Sequence, residues 1–286
     1  MCYQWCDLCH CLPRWDRLVR YAQNQGKAGR MTQSSPQFRV KLAQTEDELR
    51  AAQRLRYDVF VAELGGSGDM VDHEARLERD AFDPFFDHLI LYDDALIHEG
   101  DATVVGVYRL LTQEGAAKIG RYYSEDEYDL TPLRQSGRRL LELGRSCLHA
   151  DYRGGTAMYV LWQALADYVI ERDIEILFGV ASFHGTNIAD IAAPLSMLHH
   201  RHLAPPELRV HAQPHSAQKM NLISEADLDR KAAMLAVPAL IKAYLRLGGV
   251  VGADAFVDHR FNTTDVCLIM DTAKMNEKQR NLYARS

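Results

Sequence analysis

Apolar and polar positions alternate over residues 37–43, QFRVKLA, as in a strand with one buried face. The pattern then changes to a helical one. Leu49, Ala52, Leu55, Val59 and Phe60 recur at helical intervals, and Thr45 with Glu48 has the spacing of a capping box. The glycines of GGSGDM, 65–70, end that helix. Two strands, 88–93 and 103–112, read as a hairpin joined by DALIHEGD, and an acidic, Tyr-rich connector fills 122–130. RLLELGRSCLH predicts a strand, TAMYVLWQALADYVIERD a strongly apolar helix, and residues 175–182 a further strand. Strand, loop, helix, strand is a βαβ unit with a parallel or splayed central pair. NIADIAAPLSML predicts a short helix stopped near Pro194, and 207–212, 250–261 and 265–271 predict later strands. The expected architecture is a single α/β (α+β) domain, a mixed central sheet flanked by helices.

Composition narrows the class. The 286 residues are 47% hydrophobic and 25% charged, ordinary values for a globular chain, and the net charge of −6 gives no support for nucleic acid as a partner. No apolar run reaches the ~20 residues of a spanning helix, and MCYQWCDLCHCLPRWDRLVR lacks the apolar core of a signal peptide. A cytoplasmic location is expected, with reduced thiols. Cys6 and Cys9 have the spacing of a zinc knuckle, but no second pair follows downstream, so no metal is expected. Residues 1–30 read as an optional extension ahead of Met31, 31–272 as the domain and 273–286 as a tail.

Chemistry concentrates in LLELGRSCLHADYRGGTAM, 140–158. A Gly pair between a strand and a helix N-terminus offers free backbone N–H groups and the positive end of the helix dipole, and Arg153 adds a fixed charge. Such a turn suits a phosphate, although glycine pairs there are often purely geometric. Glu142 and Arg145 are three apart, so a flat strand points them to opposite faces. Gly144 between them predicts a β-bulge that turns both toward one site. Cys147 reads as small buried filler rather than a nucleophile activated by His149. The HHRH run at 199–202 reads as a helix end. Residues 234–250 read as a core helix whose Lys242 and Arg246 face water, with a helix resting on a membrane surface as the alternative.

LRYDVFVAELGG, DAFDPFFDHLIL, VVGVYRLL, LELGRSCLHADYRGG and PALIKAYLRLGGVVGADAFVDHRFNTTDV together resemble the Gcn5-related N-acyltransferase superfamily over about residues 38–271. More narrowly, the chain resembles the ornithine Nα-acyltransferases that make lyso-ornithine lipid, relatives of the acyl-homoserine-lactone autoinducer synthases. The resemblance implies a sheet with splayed parallel strands and transfer of a 3-hydroxyacyl chain from acyl carrier protein to the α-amino group of L-ornithine. No covalent enzyme intermediate is implied, and no cofactor beyond the donor's own phosphopantetheine. It implies substrate-binding positions at Arg56, Phe60, Asp80, Asp83 and Arg109, and catalytic ones at Glu142 and Arg145. It also places the phosphopantetheine against Arg153, Gly154, Gly155, Thr156, Ser182 and Asn187. Chemistry agrees for Glu142, because an amine must shed a proton to attack a thioester and a nearby carboxylate can take it. The plain alternative is a strand-end Glu paired with Arg145 or Arg109. Asp80 and Asp83 suit the cationic groups of a diamino acid, or equally a solvated loop. The rival functions are an autoinducer synthase using S-adenosylmethionine and a non-catalytic module that binds acyl carrier or membrane.

Overall fold

In the computed structural model, residues 35–98 and 101–274 are described. The 1–30 extension, its cysteines and most of the C-terminal tail lie outside the described residues. The strands of the main sheet are β1 (Phe38–Leu42), β2 (Asp87–His98), β3 (Asp101–Thr112), β4 (Leu140–Leu148), β5 (Ile176–His184), β6 (Ala217–Lys219), β7 (Val250–Asp258) and β8 (Thr263–Asp271). Among the described residues they form one sheet in the order β1-β2-β3-β4-β5-β8-β7-β6. Neighbouring strands run antiparallel except β4 and β5, which pair in parallel over Leu140–Glu142 and Ile176–Phe178 and then part. The splayed parallel pair is therefore present.

Close approach sets where the two strands part. A Cβ on Gly179 would lie 2.4 Å from the Leu143 carbonyl oxygen, so any other residue there would push β4 away at the branch point. Beyond it an apolar crevice opens, lined by Tyr108, Leu143, Phe178–Ala181, Leu240, Tyr244 and Leu268–Met270.

Helices cover both faces. Helix α1 (Glu46–Arg56) starts with the expected capping box and runs on into a π-helical turn, Tyr57–Glu63. It packs Ala52, Leu55, Val59 and Phe60 on Ile90, Val107 and Cys147. After the short helices α2 (Gln113–Ile119) and α3 (Thr131–Gln135), α4 (Ala157–Glu171) lies on the opposite face. It buries Ala157, Leu161, Leu165 and Tyr168, one stripe of its surface. Helix α5 (Ala192–His202) contains Pro194 near its start. The sequence placed a stop there, but a proline in the first turn sacrifices no helical hydrogen bond.

Other expectations are corrected. Residues 207–212 are not one strand: Pro206–Leu208 forms a 3-10 turn, and His211–Ala212 pairs with Tyr128–Asp129. The prolines at 205 and 206 have no ladder donors to give. The 234–250 segment is two helices, α6 (Arg230–Ala236) and α7 (Ala239–Arg246), separated at Pro238. Helix α7 buries Ile241, Tyr244 and Leu245. No helix among the described residues is long and apolar enough to cross a membrane.

Candidate active site

The bulge forms where the sequence placed it. On β3 and β4, Tyr108 pairs with Ser146 and Leu110 with Leu143, so Arg109 alone faces Gly144 and Arg145 together. The position needs glycine: a Cβ there would sit 2.9 Å from the Phe86 ring and 3.1 Å from Arg109 Cβ. The extra residue brings Glu142 and Arg145 to the same segment, Tyr123–Ser124. Glu142 Oε2 accepts the Tyr123 N–H at 2.8 Å, and Oε1 accepts the Ser124 N–H at 2.7 Å and the Ser124 hydroxyl. Arg145 Nη2 donates to the Tyr123 hydroxyl at 3.2 Å.

Around Arg145 lies a buried network in which three arginines meet three acids. Arg56, at the end of α1, makes a two-pronged contact with Asp83 at 2.8 and 2.7 Å, and its Nε lies 2.6 Å from Glu78. Arg145 Nε reaches Glu78 at 2.8 Å and its Nη1 reaches Asp80 at 3.0 Å. Arg109 Nη1 bridges Asp80 and Asp83, each at 2.8 Å. Its guanidinium lies 4.2 Å over the Phe86 ring and 5.4 Å over that of Tyr123. Its Nε and Nη2 are buried without a hydrogen-bond partner. His88 Nε2 donates to the Asp83 carbonyl at 2.9 Å.

The charges follow from these contacts. Burial opposes ionisation of Asp83, yet Arg56 and Arg109 outweigh it and hold the carboxyl far below its usual range. Burial likewise opposes the charge of Arg145, but Glu78, Tyr123 and Asp80 raise its pKa. Burial pushes His88 down to about 4, leaving it neutral. Glu142 differs in sign. Its burial outweighs the hydrogen bonds from Ser124 and Tyr123, so its pKa is raised. A carboxylate whose proton affinity is raised by burial suits proton transfer.

The other expected positions are spread over the molecule. Phe60 is buried in the π-helical turn that continues α1, packed with Ile90, Val107 and Cys147. Arg153 pairs with Glu63, and its Nε donates to the Leu148 carbonyl at 3.1 Å, at the mouth of the β4–α4 turn. Gly154 has φ +76° there, and Gly155 and Thr156 are exposed at the start of α4. Asn187 is exposed after β5 and caps a 3-10 turn. Ser182 stands opposite Asp265 in the β5–β8 ladder. Cys147 is buried beneath α1, while His149 accepts the Asp151 N–H.

Sequence reasoning passed over Glu78, Tyr123 and Ser124. Glu78 sat unremarked two residues before Asp80 in a polar run. The Tyr-rich acidic connector was the available signal for the other two, but which strand it would cross was not visible.

Comparisons with known proteins place the chain among characterised families. The family described as "Acetyltransferase (GNAT) domain" matches residues 55–163. An L-ornithine N(alpha)-acyltransferase of Rhodobacter capsulatus is 60% identical over 87% of this chain and 95% of that protein. One of Brucella abortus is 39% identical over 85% of this chain and 88% of its own. Among solved structures, the CoA-dependent acyl-homoserine lactone synthase BjaI aligns at 15% identity with a TM-score of 0.47, covering 83% of this chain and 81% of that one. With a splayed β4–β5 pair, a bulged β4 and relatives at this level of identity, the chain is an acyltransferase and belongs to the L-ornithine N(alpha)-acyltransferase family.

Proposed function

We propose that the enzyme moves a 3-hydroxyacyl chain from acyl carrier protein to the α-amino group of L-ornithine, giving lyso-ornithine lipid. The observation that carries this reading is the parting of β4 and β5 after Glu142 and Phe178, next to a fully buried Glu142. The crevice beyond is apolar and suits an acyl thioester. The donor's phosphopantetheine runs along the splay, with its phosphate at Arg153–Thr156. Arg153 meets it by exchanging Glu63 for the phosphate, a planar fork being suited to either anion.

Transfer is direct. The neutral α-amine attacks the thioester carbonyl, a C–N bond forms, and the C–S bond breaks to return the carrier thiol. The proton lost by the amine goes to Glu142. That carboxylate is closed off from solvent, so the proton reaches it through a bridging hydroxyl or water, and the Ser124 hydroxyl already rests on it. Arg145 and the Asp80–Arg109 pair hold Tyr123 and the bulge in register while this happens. We place the reaction in the cytoplasm.

The test is a reconstituted assay with charged 3-hydroxyacyl carrier protein and L-ornithine, read by mass spectrometry. The expected product is an N-acyl-ornithine, and Glu142→Gln lowers turnover about 10²-fold or more while circular dichroism stays native. No such product from the wild-type enzyme with charged carrier present, or full turnover by Glu142→Gln, defeats the reading.

A further inference from the structure

A second group of acids stands apart from the arginine network. Glu127 follows the Tyr123–Asp126 turn, Asp258 ends β7, and Asp265 lies in β8. One oxygen from each lies within 4.8 Å of the others. Asp265 is 0% and Glu127 6% exposed, so neither is solvated. The Thr263 hydroxyl donates to Asp265 Oδ2 at 3.2 Å, and the Phe261 N–H to Asp258 Oδ1 at 3.1 Å. Glu127 Oε2 and Asp265 Oδ1 are buried with no hydrogen-bond partner. Among the described residues none of the three joins an ion pair. The arginine network pairs each of its acids with a cation; among the described residues none of these three acids has an ion-pair partner, although Arg260 shares the wall of the cavity beside them, and buried carboxylates without a partner are costly.

Glu127 and Asp258 line a cavity of about 390 Å³ together with Met70, Tyr123, Arg260 and Phe261, and Asp265 reaches it only through its contact with them. That volume falls in the range of small-molecule sites, ~300–1,000 Å³. The same Tyr123 gives its N–H to Glu142 and its hydroxyl to Arg145, which joins this cavity to the bulge.

We propose that Glu127, Asp258 and Asp265 form the socket for the side-chain ammonium of the acceptor amino acid. The inference rests on the reaction proposed above and names how its acceptor is recognised. A primary ammonium directs three N–H donors tetrahedrally, so acceptors ~2.8 Å from nitrogen stand about 4.6 Å apart, a spacing the cluster accommodates. Two of the acids come from the floor of the sheet and the third from the turn carrying Tyr123. The socket therefore holds the far end of the acceptor while the α-amine is left for the thioester.

The experiment compares L-ornithine with L-norvaline, which has the same carbon skeleton and no side-chain amine, in the carrier-protein assay with the whole chain. Wild-type enzyme prefers ornithine. In Glu127→Gln and Asp258→Asn the ornithine-to-norvaline ratio of kcat/KM falls about ten- to a hundredfold. Asp258 is only partly buried, so its variant carries the test should Glu127→Gln fail to fold. Ornithine turnover with an unchanged ratio in the folded variants overturns the socket and leaves the reaction standing. A wild-type enzyme that does not acylate ornithine takes both down. Calorimetric titration with Ca²⁺, Mg²⁺ and Mn²⁺ supplies the other arm. Metal binding that Asp258→Asn abolishes, with the ornithine preference intact, makes the cluster a metal site and overturns the proposal.

Discussion

Single residues in this protein carry opposite electrostatic signs, and pH separates them. Asp83 has its folded pKa depressed below the unfolded 3.8, so its contribution is present above that value and is lost as pH falls through it. Asp265 behaves in reverse. Burial outweighs the neighbouring Ser182 hydroxyl and pushes it up to about 6 from an unfolded 3.8. In that window the folded chain holds a proton that the unfolded chain has released, so stability falls as pH rises. Asp265→Asn is expected to flatten the decline of Tm between about pH 4 and 7 in the absence of substrate. An equally steep decline in the variant would place the titration elsewhere. For Asp83, replacement by Asn leaves Arg56 and Arg109 buried and short of a partner, and urea unfolding should show a loss of about 3–5 kcal/mol. The double variant Arg56→Met/Asp83→Leu should lose less than the sum of Arg56→Met and Asp83→Leu made singly. The family resemblance implied substrate-binding roles for Arg56, Asp80, Asp83 and Arg109 and a catalytic one for Arg145. It could not show that they chiefly neutralise one another, because the pairing joins β3, β4, α1 and the loop before β2.

At the scale of elements, the bulge was legible and its partners were not. Glu142 and Arg145 in one strand with Gly144 between them pose a problem of parity, and a bulge is the way a strand solves it. The turn that both then grip, Tyr123–Ser124, is fixed by packing of Tyr122 on Phe178 and of Tyr123 on Phe82, contacts without local periodicity. Helix α1 was read correctly at its capped end. Its continuation as a π-helical turn has no simple sequence mark, although Arg56 and Phe60 flank the change. Glycine at 179 was not singled out, yet it is as constrained as Gly144. Gly179→Ala must move the Leu143 carbonyl, and denaturant midpoints should record a loss of about 1–3 kcal/mol with little change in m-value. An alanine tolerated without cost would mean that the two strands are not held at that point.

Across the whole molecule, the mixed sheet, the βαβ unit and the helices on both faces followed from periodicity. The broken 234–250 helix and the edge strand β6 did not, since Pro238 and a polar QPHSAQKM segment carry little strand or helix signal. The acid cluster was invisible for a different reason: Glu127, Asp258 and Asp265 meet only when β7 and β8 are laid beside the connector. The splay also divides the sheet unequally in cohesion. β1–β4 form one antiparallel ladder and β5–β8 another, and among the described residues the short parallel contact of Leu140–Glu142 with Ile176–Phe178 is the backbone join between them. The backbone thus joins the two halves only briefly, while side chains from both pack into one core. Native-state hydrogen exchange should find amides within each ladder opening together, in two groups of distinct free energy. The apolar crevice would then lie along the boundary between two cooperative folding units.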